Sequence, residues 1–169
     1  RVLDAGADGV AVRTLCFHNR VMDHLRTAFA PAVVARFRAD YGREPTPDWA
    51  DAVRVRELRG RGYTAFLRRA KGLAAAAGRT LALHLECGIE VPPTRDQRTQ
   101  FNLEWETWIR EGIADELLLK WWFAQNPFIH ERVLPLARKH GVPVHIIDRN
   151  GSLKTPRAIE RAEALVRES

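Results

Sequence analysis

The stretch LALHLECGIEV (81–91) begins as an apolar strand and ends among acidic residues. Side chains alternate along a strand, so the three leucines share one face, and His84 and Glu86 share the other. A leucine face suits packing under helices, whereas a face with an imidazole and a carboxylate suits an open end of a sheet. The stretch therefore predicts a half-buried strand that delivers polar groups to its carboxyl end.

Predicted strands alternate with predicted helices along the chain, which is the pattern of βαβ units and a parallel sheet. The strands are DGVAVRT (8–14), TLALHLE (80–86), DELLLKW (115–121) and VPVHIID (142–148). Helices are predicted from Pro31 to Gly42, up to Gly78, around Trp105 and Trp108 to Gly112, from Asn126 to Gly141 with a kink at Pro135, and from Thr155. Helical spacing predicts one buried face before Gly78, formed by Phe66, Leu67, Ala70, Leu73, Ala74 and Ala77.

Each predicted strand ends in a charged residue, and we expect all four on one face of the sheet: Arg13, Glu86, Lys120 and Asp148. In the fourth strand this assignment puts Val144 and Ile146 on the polar face with Asp148, and Ile147 on the helix-facing side. Four strands that deliver charges to their carboxyl ends are typical of the mouth of a (β/α) barrel, where loops and catalytic groups gather.

The predicted fold class is α/β, a partial (β/α)8 TIM barrel of about four consecutive β/α units with parallel strands. A complete barrel needs about 250 residues and eight strands. No glycine-rich phosphate loop follows any strand, and the strands have one polar face, whereas a doubly wound sheet is apolar on both. We expect residues 1–169 to form a single domain, the C-terminal half of a barrel in a fragment of a longer chain, since Arg1 is not an initiator methionine.

Glu86 and Asp148 are the first candidates for catalysis. Neighbouring strands lie ~4.8 Å apart, so residues two strands apart have backbones about 10 Å apart and side chains that converge. A carboxylate pair roughly 5 to 9.5 Å apart flanks the bond that glycoside hydrolases break. Glu90, on the loop after the second strand, is the alternative second acid. The predicted catalytic residues are therefore Glu86, Asp148 and Glu90.

Substrate-binding residues are expected around these carboxylates: Arg13, His84, Lys120, Trp121 and Arg149. The cations would bind sugar hydroxyls or an acidic sugar, and Trp121 offers a flat face on which a sugar ring stacks. Structural roles stay open beside these functional ones. The charged residues then form an ion-pair network at the rim, His84 is a hydrogen-bonded core residue, and Glu90 is solvated.

The chain carries a net charge of +6, which raises the alternative of a nucleic-acid partner. Only four of its 27 basic residues are lysine, and the arginines are scattered over most predicted helices, which argues against one binding stripe. No apolar run approaches the ~18 residues of a membrane span, and Cys16 and Cys87 form no metal motif. We therefore predict a carbohydrate substrate or ligand, no nucleic-acid or membrane partner, and no metal or organic cofactor. The cellular compartment stays open, because a fragment does not reveal a secretion signal.

Four stretches carry a resemblance to a known family: GADGVAVRT, ELRGRGYTAFLRRAK, LALHLECGIEV and FNLEWETWIREGIADELLLKWW. They look like the bacterial family ten glycosylhydrolase-like group of TIM-barrel proteins, and the similarity covers most of the chain. The W..W...G..D pattern of that group matches Trp105, Trp108, Gly112 and Asp115. The resemblance implies the second half of a TIM barrel and a glycoside hydrolase-like activity.

One departure from the family pattern bears on catalysis. Members of the group often have an acidic residue near the end of the DG strand, whereas this chain has Val12 and Arg13 there. The catalytic assignment therefore rests on Glu86 with Asp148 or Glu90. A non-catalytic carbohydrate-binding barrel, which keeps the cleft without a working acid pair, is the competing hypothesis.

Overall fold

The computed structural model describes residues 6–13, 30–85, 103–120, 124, 126–147, 156, 159, 160, 163 and 164. In chain order its elements are β1 (Gly9–Arg13), α1 (Pro31–Tyr41), α2 (Trp49–Ala76), β2 (Thr80–Leu85), α3 (Trp105–Arg110), β3 (Glu116–Lys120), a π-helical turn (Ile129–Val133), α4 (Leu134–Lys139) and β4 (Val144–Ile147). The chain divides into two compact units. The sheet unit comprises Arg1–Thr14, Leu67–Glu86 and Trp105–Ser169, and the second unit comprises Leu15–Phe66 and Cys87–Glu104.

The four strands form one parallel sheet in the order β1-β2-β3-β4, which confirms the predicted α/β class with parallel strands. The register aligns apolar residues across the sheet: Val10 with Leu81, Leu83 with Leu117, and Leu119 with Ile146. We call this side the leucine face. Its leucines in β2 and β3 are at most 1% exposed, so this face is packed as a core.

The predicted face of β4 is wrong. The register pairs Leu119 with Ile146 and Lys120 with Ile147, so Ile146 lies on the leucine face and Ile147 on the opposite one. Val144 and Ile146 are both β-branched and apolar, and they suit the buried side better than the polar His145 between them. The predicted faces were assigned from Asp148, which follows the last residue of β4. A residue beyond the end of a strand need not continue the alternation of side chains within it.

Residues of the W..W...G..D pattern form the last part of the connection from β2 to β3. Trp108 is fully buried, and Gly112, after the end of α3, has a left-handed φ of 63° that favours glycine. The carboxylate of Asp115 accepts the N–H of Leu81 at 2.7 Å and pairs with the ammonium of Lys71. Asp115 therefore fixes the entrance of β3 against β2, which gives this part of the pattern a structural role.

Helices α1 and α2 meet in the second unit. Pro31 occupies the first turn of α1, where its missing N–H costs no hydrogen bond, and the helix ends at Gly42. Phe37 of α1 is buried in a cluster with Val55 and Leu58 of α2. These apolar contacts hold the two helices together.

The predicted apolar face of α2 is wrong in part. Leu67 and Ala74, seven residues apart, are buried, whereas Phe66 and Leu73 are 54% and 63% exposed. Successive residues of a helix are 100° apart around its axis, so the two pairs form adjacent stripes. Only the stripe of Leu67 and Ala74 faces the interior.

The helix predicted from Asn126 contains an irregularity before Pro135. The N–H of Phe128 donates to the Asn126 side chain at 3.0 Å, which caps the first turn. The π-helical turn Ile129–Val133 then precedes α4. Pro135 has no N–H to donate, and the wider turn before it accommodates the missing helical hydrogen bond.

Asp51 organises the start of α2 from a fully buried position. Its carboxylate accepts two hydrogen bonds from the Arg43 guanidinium, at 2.6 and 2.8 Å, and one from Arg54 at 3.0 Å. The backbone N–H and the hydroxyl of Thr46 each donate to it at 2.8 Å. The N–H of Asp51 donates to Asp48, the residue before the helix, at 2.8 Å, so Asp48 caps α2. The Asp51 carboxylate joins this start of the helix to the preceding loop at Thr46 and to two cations.

Replacing Asp51 by asparagine is expected to lower the free energy of unfolding at pH 7 by about 2 to 4 kcal/mol. The Arg43 guanidinium, above all, holds the pKa of Asp51 well below its ordinary value of 3.8, and burial opposes this only in part. A lowered folded-state pKa stabilises the fold above the unfolded pKa, and this stabilisation is lost as the pH falls through the folded pKa.

Urea unfolding of both proteins between pH 7 and pH 2 measures this effect. The difference between wild type and Asp51→Asn should shrink as the pH falls below about 4. Asp40→Asn is the matched control, because Asp40 pairs with Arg36 on the surface of α1, and a change within ~0.5 kcal/mol is expected. A difference for Asp51→Asn that stays constant with pH would contradict the assignment.

Candidate functional site

The carboxyl end of the sheet side opposite the leucine face, which we call the open face, is the candidate site. The register puts Arg13 directly beside His84, and His84 beside Leu118. Lys120 lies on the same face two residues further along β3, where it is paired with Ile147. The structure thus brings Arg13, His84 and Lys120 to one face, with Arg13 in the layer of His84 and Lys120 one layer nearer the carboxyl end.

These three side chains differ in exposure. His84 is only 7% exposed, so its imidazole belongs to the core of the sheet. Arg13 is exposed and Lys120 is half-buried. The two more accessible cations beside this imidazole are groups of the kind that bind anionic or oxygen-rich ligands.

Five of the predicted site residues lie outside the described residues: Glu86, Asp148, Glu90, Trp121 and Arg149. Glu86 directly follows Leu85, the last residue of β2, and Asp148 directly follows Ile147, the last residue of β4. Their roles stay predictions.

The open face also carries a contact between a carboxylate and an imidazole that was not predicted from the sequence. Nε2 of His145 in β4 lies 3.2 Å from Oε2 of Glu116 in β3. His145 shares a layer with Leu118 and His84, and Glu116 lies one layer nearer the amino end. The sequence did contain the information for this contact. Glu116 and Lys120 are four residues apart in β3, so their side chains lie on the same face, and His145 is the polar residue of β4. The contact was not predicted because the predicted faces of β4 were the wrong way round.

The described part of the open face is suited to binding and to proton transfer. Arg13 and Lys120 supply donors for hydroxyl or carboxylate oxygens, and the Glu116–His145 pair joins an acceptor to an imidazole. Within the described ranges, no three histidine, cysteine, aspartate or glutamate side chains are grouped so that they could hold a metal ion.

No protein-family model matches this chain, and no curated protein or solved structure is significantly similar to it. Of the described helices, none is both long enough and apolar enough to cross a bilayer. The class of the protein is α/β, with a four-stranded parallel sheet. This fold class does not by itself specify a function.

Proposed function

We propose that this chain is a carbohydrate-active protein of the (β/α) barrel type, similar to the family ten glycosylhydrolase-like group, and that it hydrolyses a glycosidic bond. Glu86 is one catalytic carboxylate, and Asp148 or Glu90 is the other. The observation that carries the proposal is the open face, where Arg13 and Lys120 gather at the carboxyl end of the sheet while Glu86 follows β2 in the sequence.

The strand order supports the barrel. Connections between parallel strands are right-handed in nearly all proteins, so four strands in sequential order have all their connections on the same side of the sheet. A doubly wound sheet reverses its strand order at the ligand site and covers both faces with helices. The order β1-β2-β3-β4 contains no such reversal, and four units are half of the eight that close a barrel.

In the proposed reaction, one carboxylic acid protonates the oxygen of the leaving sugar. The other carboxylate either activates a water molecule that attacks the anomeric carbon, or attacks that carbon itself. In the second case the first carboxylate, now ionised, takes a proton from a water molecule that cleaves the glycosyl ester and frees the enzyme. A separation of about 5 to 5.5 Å gives retention of configuration, and roughly 6.5 to 9.5 Å gives inversion. Arg13 and Lys120 bind hydroxyl groups or the carboxylate of an acidic sugar, because both are obligate hydrogen-bond donors.

A hydrolysis screen tests the proposal. We expect the purified chain to release 4-nitrophenol from at least one member of a set of 4-nitrophenyl glycosides and glucuronides, or new reducing ends from an oligosaccharide. The rate should depend on pH as a bell, because one carboxyl group must be protonated and the other ionised. Absence of hydrolysis across neutral and acidic sugars would contradict the enzymatic proposal.

One observation favours a second candidate, a non-catalytic carbohydrate-binding barrel. β1 ends in the exposed Arg13 at a position where members of the resembling group often have an acid. Calorimetric titration with the same sugars separates the two candidates, since a binder has affinity without turnover. Affinity for DNA or RNA that falls steeply with salt, with no affinity for sugars, would contradict both candidates.

A further inference from the structure

Helix α1 and the part of α2 up to Phe66, both in the second unit, border a groove of about 600 Å³. Its apolar wall includes Val33 from α1 and Leu58, Tyr63 and Phe66 from α2. Sites for small organic molecules have volumes of roughly 300 to 1,000 Å³, so the groove has the size of such a site. The described residues that line it fall between positions 32 and 66, within the second unit.

Tyr63 and Phe66 give this groove a flat aromatic surface. Their ring centroids are 5.9 Å apart, and the ring planes are inclined by only 28°. Phe66 is 54% exposed, although α2 has a buried stripe one residue away around the helix. An exposed aromatic face at the edge of an apolar groove suits stacking against a planar ring.

Three arginines line the same groove, Arg36, Arg59 and Arg61, and among the described residues no acidic side chain lines it. Arg36 pairs with Asp40 at 2.9 Å, and Arg61 lies 3.8 Å from Glu57. Both are i,i+4 pairs near the surface, which solvent and salt weaken. An anionic ligand can therefore engage these guanidinium groups at little cost.

Arg56 adds a buried cation to the same side of α2. Arg56, Arg59 and Tyr63 follow the i, i+3, i+7 spacing of one helical stripe. Arg56 is 1% exposed, and its guanidinium lies 5.0 Å from the centre of the Trp49 ring. In the described part of the chain, none of its side-chain nitrogens has a hydrogen-bond partner. Burial lowers the pKa of Arg56, and an anion nearby would offset the cost of this buried charge.

We propose that the groove between α1 and α2 binds a small organic anion that carries a planar ring. The ring lies against Tyr63 and Phe66, and its carboxylate, sulfonate or phosphate group is held by Arg36 and Arg61. The aromatic wall and the arginines of the described lining specify this chemistry together, because a neutral ring would not use the arginines and a simple anion would not use the aromatic wall. The site is distinct from the residues proposed for hydrolysis, because none of these belongs to the described lining of the groove.

Calorimetric titration of the full chain with naphthalene-2-sulfonate tests this site, with naphthalene-2-methanol as the uncharged analogue. We expect a Kd of roughly 1 mM or tighter for the sulfonate, and about tenfold weaker binding of the alcohol, which lacks charge-assisted hydrogen bonds. Phe66→Ala should weaken sulfonate binding by about fivefold. The double variant Arg36→Gln/Arg61→Gln should weaken it by roughly tenfold or more.

Leu73→Ala and Arg69→Gln are the matched controls, because both residues are exposed on α2 and neither lines the groove. Both variants are expected to bind the sulfonate like the unaltered chain. The substituted positions in the groove are exposed as well, so far-UV circular dichroism should show all variants folded. Absence of sulfonate binding, equal binding of the uncharged analogue, or unchanged affinity in the groove variants would overturn the proposal.

Discussion

Glu86→Gln is expected to lower the turnover of the best substrate by roughly 10²- to 10⁴-fold, with little change in affinity for that substrate. The amide keeps the size of the side chain, but it neither exchanges a proton nor attacks as a carboxylate. A catalytic carboxylate acts in the transition state, so its loss reduces kcat more than ground-state binding. The measurement is kcat on the substrate found in the screen, with sugar affinity determined separately by calorimetry.

The second carboxylate is identified by the same measurement on Asp148→Asn and Glu90→Gln. One of these variants is expected to lose turnover to a similar extent, and the other to retain most of it. Glu131→Gln is the control, because Glu131 is exposed in the π-helical turn. An unchanged kcat in Glu86→Gln would exclude Glu86 from catalysis and would leave it a structural role at the rim.

Trp108→Ala is expected to lower the free energy of unfolding by about 3 to 5 kcal/mol. Trp108 is a fully buried residue of α3 in the sheet unit. Removing the indole leaves a cavity that the surrounding packing fills only in part, and the lost apolar burial adds to that cost. Urea unfolding followed by far-UV circular dichroism measures the change, because tryptophan fluorescence is itself altered by the substitution.

Leu73→Ala is the control for Trp108→Ala, since Leu73 is 63% exposed and its loss should change stability by no more than ~0.5 kcal/mol. A loss of under about 1 kcal/mol for Trp108→Ala, with an unchanged dependence on urea, would show that the indole does not belong to a cooperative core.

The strands and the helix ends were predictable because they depend on local chemistry. In β2, leucines at every second position specify a buried face without reference to any other part of the chain. In β3 three leucines are consecutive, and the charged Glu116 and Lys120 at its two ends mark the opposite face. Gly42 and Gly112 follow helices that they help to end, since each adopts a φ that favours glycine. Element type and order therefore followed from patterns of a few residues.

The faces of β4 and α2 were not predictable in the same way, because each offered two apolar stripes. In β4, both Ile146 and Ile147 are apolar, and only the pairing with β3 decides which of them is buried. In α2, the adjacent residues Phe66 and Leu67 are both apolar, but only Leu67 is buried. Tertiary packing settles such cases, and alternation or helical period alone does not.

The candidate site was predictable in part. Alternation along each strand put Arg13 and Lys120 on one face, but only the register between strands shows that they lie in different layers. The Glu116–His145 pair joins two strands, so it depends on register as well. The buried carboxylate of Asp51 was not predicted, because its hydrogen bonds at the start of α2 are specified by side-chain geometry.

The separation of the Glu86 carboxyl group from those of Asp148 and Glu90, in a crystal structure with a bound oligosaccharide, tests the central claim most directly. The proposed function predicts a pair roughly 5 to 9.5 Å apart on either side of a glycosidic bond in an open groove. If Glu86 and Asp148 are instead each locked to Arg13 or Lys120, with no groove between them, the charged rim is structural and the hydrolase proposal is contradicted.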